Sequence, residues 1–298
     1  MVKILRSGEH ALQRYESERR VLSSIVPKHV HIVSLLTSFI YFGRFHLLFK
    51  KADMDLETFM MTAISEQHAH NRSRKHGLWL QMAGLASALE FLHDKNISHG
   101  DIKPSNILIF EDPDFTLKLA DFGAACDKVN DEPNVYGRDT NSGTYCPPEM
   151  WHRSGLRLHK PIDIWSLGCV FSELATYIEC AETGVTDFRS RRHQTIRNVT
   201  STVFHDGEGL KVAVLDWLSY LRSRSETADV VAQLIMAFLV TSPTERRNAS
   251  GLGADFLAAC EHPSDPATKI QQITGAPNTL VVQQPLDYNS IVVIFLPV

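Results

Sequence analysis

The sequence predicts an α+β protein with a small β-rich lobe over residues 1–52 and a large, mainly helical lobe over residues 53–262. Short apolar runs of strand character fall early in the chain, whereas apolar residues at three- and four-residue spacing recur later. The 298 residues are 44% hydrophobic and 21% charged, which is an ordinary globular mixture. Residues 263–298 have no steady period, and they form a C-terminal tail whose role stays open.

The first lobe is predicted to contain one sheet and one helix. Val2–Leu5 is mostly apolar and suits a strand, and residues 9–22 carry charges at helical spacing. Two β-rich runs, residues 32–42 and 45–49, are joined at Gly43 and Arg44, which indicates a hairpin.

The second lobe begins with an amphipathic helix that ends near residues 95–96. Its apolar face is formed by Leu78, Met82, Leu85, Leu89 and Leu92. A turn rich in Asp and Pro between residues 107–110 and 116–119 predicts a second hairpin. Residues 162–177 are apolar on nearly every side, so a helix at the centre of the lobe is expected, with further helices at residues 214–221 and 230–239.

Bulk properties argue against several classes of protein. A net charge of -4 gives no basic field for nucleic acid, and no apolar run or leader indicates membrane insertion. Five cysteines without a C-x-x-C pair indicate reduced thiols rather than a zinc site, which favours a cytoplasmic or nuclear location. The histidine-rich run at residues 68–76 has no metal-site spacing and is interpreted as a solvated loop.

The strongest chemical signal is the run HGDIKPSNIL at residues 99–108. It places a carboxylate, an ammonium and a carboxamide in one loop, at Asp101, Lys103 and Asn106. An Asp accepts the proton of an attacking hydroxyl, a Lys neutralises charge on a moving phosphoryl group, and an Asn holds a magnesium ion. These three groups together suit phosphoryl transfer.

A second signal, Asp121-Phe122-Gly123, follows an apolar strand-like run twenty residues after Asp101. Mg²⁺ prefers oxygen ligands in near-octahedral geometry. The Asp121 carboxylate and the Asn106 carboxamide both offer oxygen atoms of this kind.

The two runs resemble the catalytic loop and the D-F-G segment of eukaryotic-type protein kinases. Lys103, with Gly143 and Thr144, resembles the Ser/Thr branch. The resemblance implies a bilobal protein-kinase-like fold and Mg²⁺-assisted transfer of phosphate from ATP to Ser or Thr of a protein substrate. Asp101 would be the base, Lys103 the phosphate contact, and Asn106 and Asp121 the metal ligands.

The same resemblance extends to the nucleotide site. Val2-Lys3-Ile4 is similar to the V-A-I-K strand, whose Lys meets the α and β phosphates. Glu18 would be its helix partner, with Glu16 as the rival. Adenine would lie against the linker from Lys50 to Ala52, with Phe49 behind the pocket.

Three further positions fall in the family's order. Glu149 ends a Pro-Pro-Glu run where A-P-E is usual. Asp163 would anchor the catalytic loop from a buried helix, and the late Arg246 would pair with Glu149. Together the motifs run from position 3 to position 246.

The sequence departs from the family at two places. Only two residues precede Lys3, so the Gly-rich phosphate loop is missing, and the similar run at residues 251–256 lies too late to replace it. A misplaced start or an incomplete gene model is the preferred interpretation, with a natural short form as the alternative. Gly100 replaces the Arg that meets an activation-segment phosphate in the family, so activation by the usual switch is not expected. Tyr136, Thr140, Ser142 and Thr144 remain as acceptors, although Thr144 is rather interpreted as a structural or substrate-facing hydroxyl.

Two interpretations remain open. An active kinase is favoured by the intact Lys3, Asp101, Asn106 and Asp121, whereas the missing loop and Gly100 favour a pseudokinase or scaffold. The oligomeric state is not predicted. Residues 183–201 are interpreted as a loop insertion whose basic residues form an exposed solubilising run, with recruitment of an acidic partner as the alternative. The basic residues are Arg189, Arg191, Arg192 and His193.

Overall fold

A computed structural model of the chain describes residues 1–5, 11–63, 71–112, 114–127, 143–150, 159–196 and 199–262. Within them a three-stranded antiparallel sheet with one helix precedes a mainly helical body, as predicted. None of the described helices has both the length and the apolar character needed to cross a bilayer.

The first sheet contains the strands β1 (Val2–Leu5), β2 (Leu35–Tyr41) and β3 (Arg44–Phe49) in the order β1-β3-β2. Lys3 lies opposite Leu47 in this sheet. The predicted hairpin is confirmed, but β2 starts later than expected. Ile32 instead forms a parallel bridge with Leu119, because the backbone of residues 31–33 bonds to a strand of the helical body.

Helix α1 (Ala11–Ser24) covers one face of this sheet. Tyr15, Glu18 and Leu22 recur at three- and four-residue spacing and are all buried. Tyr15 stacks on Phe45 of β3 with ring centroids 5.0 Å apart. The buried face of α1 therefore turns the Glu18 carboxylate towards the sheet that carries Lys3.

The helical body begins with two helices whose first residues are set by side-chain caps. The elements are β4 (Met54–Asp55), α2 (Leu56–Met61), α3 (Arg72–Asp94) and β5 (Ile97–Ser98). Asp55 Oδ1 accepts a hydrogen bond from Thr58 N, and Asn71 Oδ1 accepts one from Arg74 N. The loop interpretation of residues 68–76 is therefore wrong for residues 71–76, which cap and begin α3; His68 and His70 lie outside the described residues.

The predicted second hairpin is present and places two of the predicted site residues at one end. It consists of β6 (Ile107–Phe110) and β7 (Thr116–Leu119), which join β4 in a sheet. Ile107 pairs with Leu119. Asn106 immediately precedes β6 and Asp121 follows β7, so both lie beside this pair.

The remaining elements are β8 (Cys126–Asp127), α4 (His159–Arg192), β9 (Gln194–Ile196), β10 (Val199–Ser201), α5 (Val212–Arg222), α6 (Glu226–Phe238) and α7 (Leu252–Glu261). Helix α4 is the predicted central helix, and its residues Trp165, Leu167 and Phe171 are completely buried. It breaks at Ala181 (φ 58°, ψ -165°) and continues to Arg192. The predicted loop insertion is therefore wrong, because residues 183–192 are helical and β9 and β10 form a hairpin.

Gly84 of α3 makes room for a partly buried histidine, His31, that connects the two lobes. The His31 ring donates from Nδ1 to the Leu117 carbonyl at 2.8 Å. A Cβ at Gly84 would lie 2.0 Å from His31 Nε2, which no real contact permits. Burial lowers the pKa of His31 to about 4, so the ring is neutral near pH 7.

Replacing Gly84 by Ala is expected to lower the free energy of unfolding by about 1–3 kcal/mol, because the overlap displaces His31. Gly77→Ala in the same helix is the matched control, since no atom lies within 4 Å of its added Cβ. Higher helix propensity should make that variant about 0.5–1 kcal/mol more stable. Urea unfolding measures both; equal gains in stability would show that Gly84 leaves no essential space.

Candidate active site

Lys3, Glu18 and Asp121 form one cluster between the two lobes. Lys3 Nζ donates to both carboxylate oxygens of Glu18, at 2.8 and 2.7 Å, and to Asp121 Oδ1 at 2.7 Å. Glu18 is buried, whereas Glu16 is exposed, so the predicted ion pair is made by Glu18. Burial alone would lower the pKa of Lys3, but the two carboxylates raise it. The Lys3 ammonium is therefore charged, and Glu18 and Asp121 fix its position.

Asp163 fixes the loop that carries the predicted base. Its carboxylate is completely buried at the start of α4. It accepts hydrogen bonds from the backbone N–H groups of His99 and Gly100, both at 2.8 Å, and from His93 Nε2 at 3.0 Å. The anchoring role predicted for Asp163 is confirmed. These hydrogen bonds offset the cost of burying the Asp163 charge, and they fix the loop backbone at His99 and Gly100.

Asp101, Lys103 and Asn106 contact one another in that loop. Asp101 Oδ2 accepts from Lys103 Nζ at 2.8 Å and from Asn106 Nδ2 at 2.9 Å. The same Nδ2 donates to the Asp101 carbonyl at 2.8 Å. Two donors on one oxygen hold the carboxylate in a single orientation. Among the described residues no hydrogen bond engages Asp101 Oδ1, which therefore remains open to a further hydrogen bond.

The loop and the D-F-G segment are joined at Asn106 and Ala120. Ala120 N donates to the Asn106 carbonyl at 2.9 Å, and His99 Nε2 donates to the Ala120 carbonyl at 3.0 Å. The next residue, Asp121, has φ 61° and ψ 75°, a left-handed conformation that costs about 1–2 kcal/mol in a non-glycine residue. Gly123 N donates to Asp121 Oδ1 at 3.2 Å and helps to hold this conformation. Strain of this kind is concentrated at functional sites.

The donor set around Asn106 and Asp121 fits Mg²⁺. Because Asn106 Nδ2 faces Asp101, its Oδ1 is the atom left to coordinate, and Asp121 adds a carboxylate. Within the described ranges no group of three or more His, Cys, Asp or Glu side chains could hold a metal. One carboxylate and one amide are nevertheless sufficient for Mg²⁺, which takes its remaining oxygens from phosphates and water.

Gly100 has a conformation that a larger residue would not easily adopt. Its φ is +79°, and a Cβ built there would lie 2.8 Å from the Ala124 carbonyl oxygen. The backbone after the D-F-G segment therefore packs directly against Gly100. The close approach of the Ala124 carbonyl therefore gives a local reason for glycine at position 100, where the family that this sequence resembles has Arg.

A cavity of about 160 Å³ opens beside Asp101 and Lys103. Thr144, Tyr145 and Ser166 also line this cavity. Thr144 Oγ1 lies 2.8 Å from Thr202 Oγ1, at hydrogen-bond distance. The cavity thus brings the predicted base next to a space that a substrate hydroxyl could enter. The other predicted acceptors, Tyr136, Thr140 and Ser142, lie outside the described residues.

The predicted adenine linker follows β3. Phe49 is buried, Lys50 is exposed, and Ala52 packs partly buried against the core. Lys50 Nζ donates to the Asp112 carbonyl at 2.9 Å. Nucleotide contacts by Lys50 and Ala52 remain a prediction from the resemblance.

The ion pair predicted between Glu149 and Arg246 is confirmed. Arg246 Nη1 and Nη2 donate to the two Glu149 oxygens at 2.7 and 3.1 Å. Arg246 also donates to the carbonyls of Pro161, Val240 and Thr241, and its side chain is completely buried. The pair fixes the segment that follows the cavity wall against the helical core.

The sequence interpretation missed a charge network around Glu173. The prediction of an exposed basic run is wrong for Arg192, which is 1% exposed, and for the partly buried Arg189; both donate to Glu173. It holds for Arg191, whose side chain is 59% exposed. The sequence did contain a signal for Glu173 itself, because an acidic residue inside a helix that is apolar on every side needs a basic partner. It contained no signal for which arginines would be the partners.

Comparisons with known proteins found a matching family model and similar sequences. The family model described as "Protein kinase domain" matches residues 1–257. The chain is 30% identical over 186 residues to Serine/threonine-protein kinase mph1 of Schizosaccharomyces pombe, covering 58% of this chain and 26% of that protein. It is 31% identical over 159 residues to Mitogen-activated protein kinase 15 of Caenorhabditis elegans, covering 49% and 31% respectively. The matches thus span about a quarter to a third of these relatives' lengths.

Proposed function

Because this chain belongs to the protein kinase domain family, we propose that it transfers the γ-phosphoryl group of ATP to Ser or Thr hydroxyls of protein substrates, with Mg²⁺. One chain of contacts supports the proposal best. Asn106 donates a hydrogen bond to Asp101, and its carbonyl accepts one from Ala120 N. The next residue, Asp121, accepts a hydrogen bond from Lys3. The residues proposed as base, metal ligands and phosphate-binding cation are thus linked to one another by hydrogen bonds.

The nucleotide would lie between Lys3 and the D-F-G segment. Glu18 holds the Lys3 ammonium through two hydrogen bonds, which would orient it towards the α and β phosphates of a bound nucleotide. Asn106 Oδ1 and the Asp121 carboxylate would hold Mg²⁺, and Lys50 and Ala52 would border the adenine. When bound, the metal neutralises charge on the phosphate oxygens.

Asp101 would accept the proton as the substrate hydroxyl oxygen attacks the γ-phosphorus. The bond from that phosphorus to the oxygen bridging the β and γ groups breaks, and ADP leaves with the electron pair. Lys103, which already contacts Asp101, would stabilise the moving phosphoryl group. Its contact with Asp101 keeps the carboxylate and the ammonium on the same side of the cavity.

The test is transfer of labelled phosphate from γ-labelled ATP, with Mg²⁺, to a generic basic protein. Wild type is compared with Asp121→Asn, which loses the charged metal ligand, and with Asp187→Asn, whose carboxylate is exposed and 49% accessible. We expect label on Ser or Thr for wild type and Asp187→Asn and a loss of about 100-fold or more for Asp121→Asn. Wild type that binds Mg-ATP but transfers no more than Asp121→Asn would identify a scaffold instead of an enzyme.

A further inference from the structure

A buried carboxylate holds part of the lining of the cavity beside Asp101. Tyr145 lines that cavity, and its hydroxyl donates to Glu173 Oε2 at 2.9 Å. Burial, with the Glu173 charge, raises the pKa of Tyr145 well above its usual value. The hydroxyl therefore stays protonated and remains a donor to Glu173 near neutral pH.

Glu173 is completely buried on α4, yet its two oxygens accept hydrogen bonds from two arginines. Arg189 donates from Nε to Oε1 at 3.2 Å and from Nη2 to Oε2 at 2.6 Å. Arg192 Nη2 also donates to Oε1. A carboxylate buried without such partners would cost several kcal/mol, so the arginines are what allow it to be present there.

Both arginines come from the part of α4 that follows the break at Ala181. Arg189 also donates to both Glu57 oxygens, which connects α4 to α2. The Arg192 guanidinium lies over the aromatic rings of Phe188 and Phe204, with its Cζ 3.8 Å from the Phe204 ring centroid. Within the described part of the chain, Arg192 Nε and Nη1 have no hydrogen-bond partner. Its position is therefore set by the Glu173 contact and by ring stacking.

We propose that Arg189 and Arg192 are positioning residues for the protein substrate: they hold Glu173 so that it fixes Tyr145, and with it Thr144, in the lining of the cavity that Asp101 and Lys103 also line. The inference rests on the proposed kinase function. Among the described residues, no hydrogen bond or ion pair joins this network to the cluster of Lys3, Glu18 and Asp121. We therefore expect it to affect binding of the protein substrate and not binding of ATP.

The decisive variant is Tyr145→Phe, which removes only the hydroxyl. We expect KM for the basic protein substrate to rise about tenfold, the scale of one lost hydrogen bond to a charged group. KM for ATP and kcat should change by less than about twofold, since neither depends on this wall. A purely structural role would lower the melting temperature without separating these constants.

Arg192→Met tests the arginine, with Arg191→Met as the matched control. The control removes a neighbouring arginine that is 59% exposed and pairs with Asp187 on the surface. We expect Arg192→Met to raise KM for the protein substrate as Tyr145→Phe does, and Arg191→Met to leave it unchanged. If Arg192→Met does not fold, Tyr145→Phe decides alone.

The outcomes separate the two proposals. Active wild type with an unchanged protein-substrate KM in Tyr145→Phe overturns the positioning role and leaves the kinase function standing. Wild type without transfer overturns the kinase function first and the positioning role with it.

Discussion

Replacing Asp101 by Asn is expected to lower kcat by about 100- to 10,000-fold, the usual contribution of a general base. The substitution keeps the size of the side chain and an oxygen that can accept from Lys103 and Asn106. It removes the negative charge and the ability to take a proton from the substrate hydroxyl. Steady-state transfer of labelled phosphate at saturating ATP measures the loss.

Binding of ATP separates this effect from misfolding. In the described part of the chain, no hydrogen bond or ion pair joins Asp101 to the cluster formed by Lys3, Glu18 and Asp121, so Asp101→Asn should bind Mg-ATP within about twofold of wild type. Asp187→Asn is the matched surface control. An Asp101→Asn variant that retains wild-type kcat would assign the base to another residue.

Replacing Arg246 by Leu is expected to lower the free energy of unfolding by about 3–5 kcal/mol, because it leaves the Glu149 carboxylate without its buried partner. The Arg246 side chain is completely buried, and it also donates to three backbone carbonyls. A domain is usually stable by only about 5–15 kcal/mol. We therefore expect poor soluble expression and a large drop in the urea midpoint.

Arg222→Leu is the control for Arg246→Leu. Arg222 pairs with Asp229 at 2.7 Å, but its side chain is 47% exposed. An exposed pair contributes about 0–1 kcal/mol, so this variant should unfold close to wild type. Similar unfolding midpoints for the two variants would show that burial of Arg246 contributes nothing.

The site could be predicted from sequence where its chemistry depends on residues close together in the chain. Asp101, Lys103 and Asn106 lie in one loop, and their mutual contacts follow from that spacing. The choice of Glu18 over Glu16 also agrees with the structure, because only Glu18 lies on the buried face of α1. In the loop the information lay in close spacing along the chain, and in α1 it lay in the helical spacing of the buried residues.

The Glu173 network could not be found in the same way, because its members meet only after folding. Arg192 follows Glu173 by 19 residues, and the break at Ala181 redirects the helix between them. The spacing of the basic residues along the chain predicted only an exposed, solvated run. Whether Arg189 and Arg192 are exposed depends on how the second part of α4 packs against Phe204 and α2, which no local pattern records.

The most direct test of the account is calorimetric titration of ATP with and without Mg²⁺, on wild type and on Asp121→Asn. If Asn106 and Asp121 hold the metal beside a nucleotide bound to Lys3, Mg²⁺ should strengthen ATP binding to wild type by about tenfold or more and have little effect on the variant. Equal effects of Mg²⁺ on the two proteins, or no binding of ATP to wild type, would contradict a shared metal-nucleotide site.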